Sequence, residues 1–141
     1  MSNIPVADAH CDFLYYMTQD GWDINRPTRN QAVALPYIKQ GGERKLSPGE
    51  EKYLAAWVDM DMRKDCLQQA LDMFDSYFTM MEENDVFVPL TKDYTPDGDK
   101  IATVLTVEGG ESLNAAISNV RLFHRLGVRA MTLTWNYSNE L

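Results

Sequence analysis

Cysteine is scarce in this chain. Cys11 and Cys66 are the only two among 141 residues, and they form neither a CxxC pair nor the framework of a disulfide scaffold. Their spacing gives no support to a Cys11–Cys66 bridge, and a reduced, cytoplasmic setting is the expectation. Basic residues are outnumbered, 13 Lys and Arg against 21 Asp and Glu, for a net charge of −8. That balance argues for solubility and against nucleic acid or an anionic membrane as the main partner. No apolar run approaches the roughly 18 residues of a membrane span. The opening "MSNIPVADAH" lacks the basic start and apolar centre of a signal peptide. Internal repeats and low-complexity tracts are also missing.

What remains is an ordinary globular composition, 45% hydrophobic, on a chain long enough for one domain with a real core. Residues 4–12 and the run "YLAAWVD" at 53–59 read as strands. "IATVLTVEGG", 101–110, is apolar almost throughout, as a strand buried on both faces of a parallel sheet requires. "VRAMTLTWN", 128–136, is a fourth strand. Between them lie helical patterns. "QAVALPYIKQGG" suggests a short helix stopped by Gly41-Gly42. Residues 62–84 carry Leu67, Ala70, Leu71, Phe74, Tyr77, Phe78 and Met81 at spacings of three and four, an amphipathic stripe whose methionines and aromatics serve the core. Leu113, Ala116, Ile117, Val120, Phe123 and Leu126 predict another helix, ended by Gly127. "FLYYMTQDGWDINRPTRN" reads mainly as a loop with at most a short helical start. "ERKLSPGEEK" and "KDYTPDGDK" read as exposed connections.

Alternating strands and helices predict an α/β fold with a parallel sheet. Ligands in such sheets bind outside the carboxyl ends of the strands. That geometry draws attention to "VADAHCDFL", residues 6–14. Side chains alternate across a strand, so Val6, Asp8, His10 and Asp12 share one face, and Ala7, Ala9, Cys11 and Phe13 the other. Polar groups on a buried face need partners or a ligand. His10 and Asp12, about 6–7 Å apart along a strand, can converge on one ion. Glu108, at the end of another strand, can complete three protein ligands, the pattern of an open catalytic metal site.

The same residues fit plainer roles. A His/Asp pair can close a strand by a salt bridge or hydrogen bond. Glu108 suits the start of the next helix, where a carboxylate meets the helix dipole. Gly109-Gly110 suits a tight turn. Asp8 lies deeper and can orient His10. Cys11 points to the apolar face, and His124 beside Arg125 reads as a surface residue.

Together, "DAHCDFL", "TVEGGESL" and "FHRLGVRAMTLTWNYSNEL" resemble the membrane (renal-type) dipeptidase family, zinc-dependent enzymes of the amidohydrolase superfamily. "ALPYIKQGG" and "AAWVD" are similar to that family's second βα region. The resemblance implies a (β/α)₈ barrel, of which residues 1–141 would be the N-terminal part, about four βα units of an incomplete domain. It implies a site with two zinc ions, His10 and Asp12 holding the first and Glu108 bridging both. It also implies hydrolysis of dipeptides, with tolerance in some members for a D-residue on the C-terminal side, by attack of activated water on the scissile carbonyl. Trp135 and Asn136 fall in a substrate-contacting segment, and Trp135 stands where vertebrate-like members carry histidine. In the family pattern the second metal's histidines, the acid/base aspartate and the arginine for the substrate carboxylate all come after the position of Leu141. The expectation is therefore one complete ligand set at most. The catalytic acid/base is left unassigned, and the alternative is an inactive half-barrel that associates with itself or with its missing half. The "ERKLSPGEEK" segment departs from the family as an insertion in a loop.

Overall fold

A computed structural model describes residues 6–8, 13–26, 52–58, 65–95, 99–134, 138–139 and 141. The expected helix at 31–42 and most of the connection at 43–52 lie outside the described residues. In chain order the described elements are β1 (Val6–Asp8), α1 (Phe13–Asp20), β2 (Lys52–Val58), α2 (Cys66–Glu83), β3 (Phe87–Pro89), β4 (Ile101–Glu108), a 3₁₀ turn (Gly110–Leu113), α3 (Ile117–Arg125) and β5 (Val128–Thr132).

Every strand pairing is parallel, as the alternating pattern predicts. β4 is central. It pairs with β2 over seven residues on one side, and β2 pairs in turn with β1. On its other side β4 is shared: β3 takes Ile101–Thr103 and β5 takes Leu105–Glu108. Seven of the eight β4 residues are buried, which explains the run of Ile, Val and Leu without polar alternation. β3 was not legible as a strand. It is three residues long, and its Pro89 lacks the N–H of a ladder, which suits the end of an edge strand.

α2 is the helix expected over 62–84, starting at Cys66, with residues 61–64 outside the described set. Asp65 caps it, accepting from the Gln68 amide at 3.0 Å. The buried stripe runs through Ala70, Met73, Phe74, Tyr77 and Met80. Phe78, expected on that stripe, is 37% exposed, because the buried face centres one residue earlier in the helical wheel. α1 is the short helical start of residues 13–30: eight residues are helical, and Phe13 opens the helix, buried, instead of continuing a strand face. α1 packs beside α2, where Thr18 and Ser76 share a hydroxyl–hydroxyl hydrogen bond of 2.8 Å.

The third helix differs most. Leu113 is buried in the 3₁₀ turn, not in a helix. Asn114 and Ala115 then both adopt left-handed backbone, φ 48° and 52°, before α3 begins at Ile117. For alanine that conformation costs roughly 1–2 kcal/mol. The break resets the helical phase. Phe123 enters the core and meets the Phe74 ring edge-on at 4.9 Å, while Ile117 is left 70% exposed.

Tyr77 ties α2 to β4. Its hydroxyl meets Thr103 Oγ1 at 2.8 Å in a buried contact, and Thr103 also donates to the Val88 carbonyl at 3.2 Å. Burial pushes the Tyr77 phenol up, against the lowering from the Thr103 hydrogen bond and the nearby Arg129 charge. The folded chain therefore favours the neutral phenol. That contribution is fully present below the unfolded value near 10 and is lost as pH rises through the higher folded value. Tyr77→Phe is expected to lose about 1 kcal/mol at neutral pH. In urea titrations it should also lose stability less steeply than the parent chain above pH about 10. An alkaline slope unchanged by the substitution would remove Tyr77 as its source.

Candidate functional site

The carboxyl edge of the sheet is built around the end of β4. Seven residues, five apolar and two threonine, carry the strand through the core before Glu108. Glu108 is itself only 7% exposed, an unusual place for a carboxylate. Buried charge is stable only where hydrogen-bond donors or a cation meet it.

The two glycines that follow are required by geometry. Gly109 turns the chain out of the strand at φ 93°, a left-handed value that L side chains rarely adopt. A Cβ there would also run into the Glu111 carboxylate. Gly110 passes so close to β5 that a Cβ would lie 2.8 Å from the Leu133 carbonyl oxygen and against the Leu141 side chain. Two hydrogen bonds fasten this turn to the end of β5. The Gly109 amide donates to Thr132 Oγ1 at 2.8 Å, and the Gly110 amide donates to the Leu133 carbonyl at 3.0 Å.

Beside the turn lies a cleft of about 580 Å³ lined by Asp65, Cys66, Leu67, Glu111, Asn114, Ser138 and Asn139. It is open and polar, flanked by the capped start of α2 and by the 3₁₀ turn. Asn139 reaches back to the Leu133 carbonyl, which holds the segment after β5 along the same edge.

Of the residues singled out in the sequence, Glu108 is where the strand pattern put it, at the carboxyl end of a central strand. Asp8 ends β1, which runs parallel to β2 and β4 and so heads toward the same sheet edge. His10, Cys11, Asp12, Trp135 and Asn136 lie outside the described residues. His124 is exposed on α3, as expected of a surface residue. Among the described residues no group of three or more His, Cys, Asp or Glu side chains stands within metal-binding reach. No helix is long and apolar enough to cross a membrane among those described.

Sequence reasoning missed Thr132. Its neighbours "TLT" read only as strand, and nothing local shows that this hydroxyl would sit opposite Glu108. That follows from the pairing of two strands.

The sequence family described as Membrane dipeptidase (Peptidase family M19) matches over residues 1–141. Among solved structures, the chain is similar to a metallo peptidase from Rhodobacter sphaeroides liganded with a phosphinate mimic of the dipeptide L-Ala-D-Ala. That match has a TM-score of 0.68 and 19% identity, over 97% of this chain and 47% of that one. An amidohydrolase from Pseudomonas aeruginosa aligns at a TM-score of 0.51 and 16% identity, over 62% of this chain and 27% of that one. The chain thus spans about half the length of the first of these structures. No curated protein matches it in sequence. At such identities the structures speak for the fold.

The Gly110 contact gives a direct check. Gly110→Ala should cost about 1–3 kcal/mol, the usual penalty of overpacking. The β5 backbone cannot retreat as a side chain would. Urea unfolding of the variant measures the loss, and an unchanged midpoint would show that the turn and β5 are not in contact.

Proposed function

Because the chain belongs to the membrane dipeptidase family, peptidase family M19, we propose that it carries the first metal half-site of a dipeptide-hydrolysing (β/α)₈ barrel. In this reading His10 and Asp12 hold one zinc ion and Glu108 bridges it to a second. The observation that carries it is the buried Glu108 carboxylate at the carboxyl edge of a parallel sheet, where this architecture places its sites.

The donor chemistry fits the group. Imidazole and carboxylate are competent zinc ligands, and Glu108 has the burial of a ligand and not of a surface acid. Bound there, zinc supplies Lewis acidity at the scissile carbonyl and lowers the pKa of water. The chain's own contribution is positional. β4 fixes the Glu108 backbone, and the glycine turn lets the chain pass close against the end of β5. Trp135 and Asn136 contact the substrate. The phosphinate dipeptide mimic bound by the R. sphaeroides enzyme supports dipeptides as the substrate class, with tolerance for a D-residue on the C-terminal side. The low cysteine content supports a reducing, cytoplasmic setting.

One observation favours a second reading, an inactive half-barrel that associates with itself or with a C-terminal half. Ile117, Val120, Leu122 and Leu133 are exposed to between 41% and 70% around α3 and the end of β5. Apolar surface of this kind marks association.

Dipeptide cleavage with added zinc separates the two. The 141-residue chain alone is expected to show no turnover, since in the family pattern the second metal's histidines and the acid/base come later. Addition of a C-terminal half, fused or in trans, is expected to give activity that Glu108→Gln abolishes. Robust zinc-dependent turnover by the chain alone would overturn the two-metal account. Failure of every C-terminal half to give activity would favour the inactive reading.

A further inference from the structure

We infer that Thr132 is a positioning residue for Glu108, placed opposite it by a bulge in β5 at Arg129. The inference rests on the metal-site reading above and deepens it.

The register between β4 and β5 carries the argument. Leu105 pairs with Val128, but the next residue, Thr106, pairs with Ala130. Arg129 is therefore the extra residue on β5. From there Val107 pairs with Met131, and Glu108 with Thr132. Without the extra residue Glu108 would face Met131, and every later side chain of β5 would move to the other face. Bulges of this kind re-aim side chains beside functional sites. This one is braced by its own side chain. The Arg129 guanidinium donates from one nitrogen to the Val128 and His124 carbonyls, both at 2.9 Å.

The consequence falls on the residue after the carboxylate. Thr132 Oγ1 accepts the Gly109 amide at 2.8 Å. Gly109 is the hinge at which the chain leaves the strand, with a φ open to few other residues. With no Cβ to limit it, its conformation depends on what its amide bonds to. Fixing that amide fixes the peptide plane on the carbonyl side of Glu108. Rotation of that plane would move the Glu108 carbonyl and the turn that follows it, and so change the surroundings in which the carboxylate settles. Partners that orient a ligand in this way typically change metal affinity about 10–100-fold when removed.

The test uses the full chain and zinc alone, with two readouts: zinc affinity by calorimetry, and hydrogen exchange of the Gly109 amide without metal. Thr132→Val and Thr132→Ala remove the acceptor by two routes, so a strand disturbed by one does not decide the result. Thr132→Ser keeps the acceptor. Both removals are expected to speed Gly109 exchange and to weaken zinc binding by about tenfold or more. Thr132→Ser is expected to match the parent chain in both. If Glu108→Gln weakens zinc binding while Thr132→Val and Thr132→Ala leave it unchanged, Thr132 has no positioning role. Equal loss in Thr132→Ser overturns it as well, since the oxygen would not be the agent. Zinc binding undiminished in Glu108→Gln, or absent in the parent chain, sinks the metal reading instead, and Gly109 exchange then reports on the hydrogen bond by itself.

Discussion

A carboxylate closing a strand that is otherwise mostly apolar and buried sets the terms for everything around it. Glu108 sits at 7% exposure with Val107 fully buried before it and two glycines after it. Desolvating a carboxylate costs several kcal/mol unless opposite charge or donors offset it. A fold selected for stability alone would end β4 with an apolar or hydroxyl residue. The chain keeps the acid and arranges its neighbours around it: a glycine that turns at once, a second glycine that admits the β5 backbone, and a threonine that fixes the turn. The rest of the sheet follows from holding β4 between β2 and the shared edge of β3 and β5.

The layers serve that placement. α2 presses Met73, Phe74 and Tyr77 into the core, and Phe123 of α3 meets Phe74 from the side. Thr103, a polar residue inside β4, is satisfied by Tyr77 and by the Val88 carbonyl, so it costs the core little. The cost appears at Asn114 and Ala115, where left-handed backbone carries the chain from the 3₁₀ turn into α3. That strain sits directly after the Glu108 turn, where irregular backbone is common beside functional sites.

Much of this was legible in the sequence. The nearly continuous apolar run at 101–107 marks a central parallel strand, and Glu108-Gly109-Gly110 marks its carboxyl end. The three-and-four spacing through residues 67–81 marks α2. These signals are local and periodic, and burial obeys them. What escaped depends on pairing or phase. The extent of α1 escaped because Gly21 and Pro27 dominate its neighbourhood, though both fall after the helix. The apolar spacing from Leu113 to Leu126 continues across a break that no periodicity reveals, so Ile117 points out and Phe123 in. Thr132 became visible only through the β-bulge, because register is a property of two strands.

The central claim is that imidazole and carboxylate from His10, Asp12 and Glu108 meet on one metal. X-ray absorption of the zinc-loaded chain tests it most directly. The account expects a shell of oxygen and nitrogen at about 2.0–2.2 Å with one imidazole and no sulfur. A zinc–sulfur distance near 2.3 Å would put Cys11 or Cys66 in the site in place of those ligands and contradict the claim.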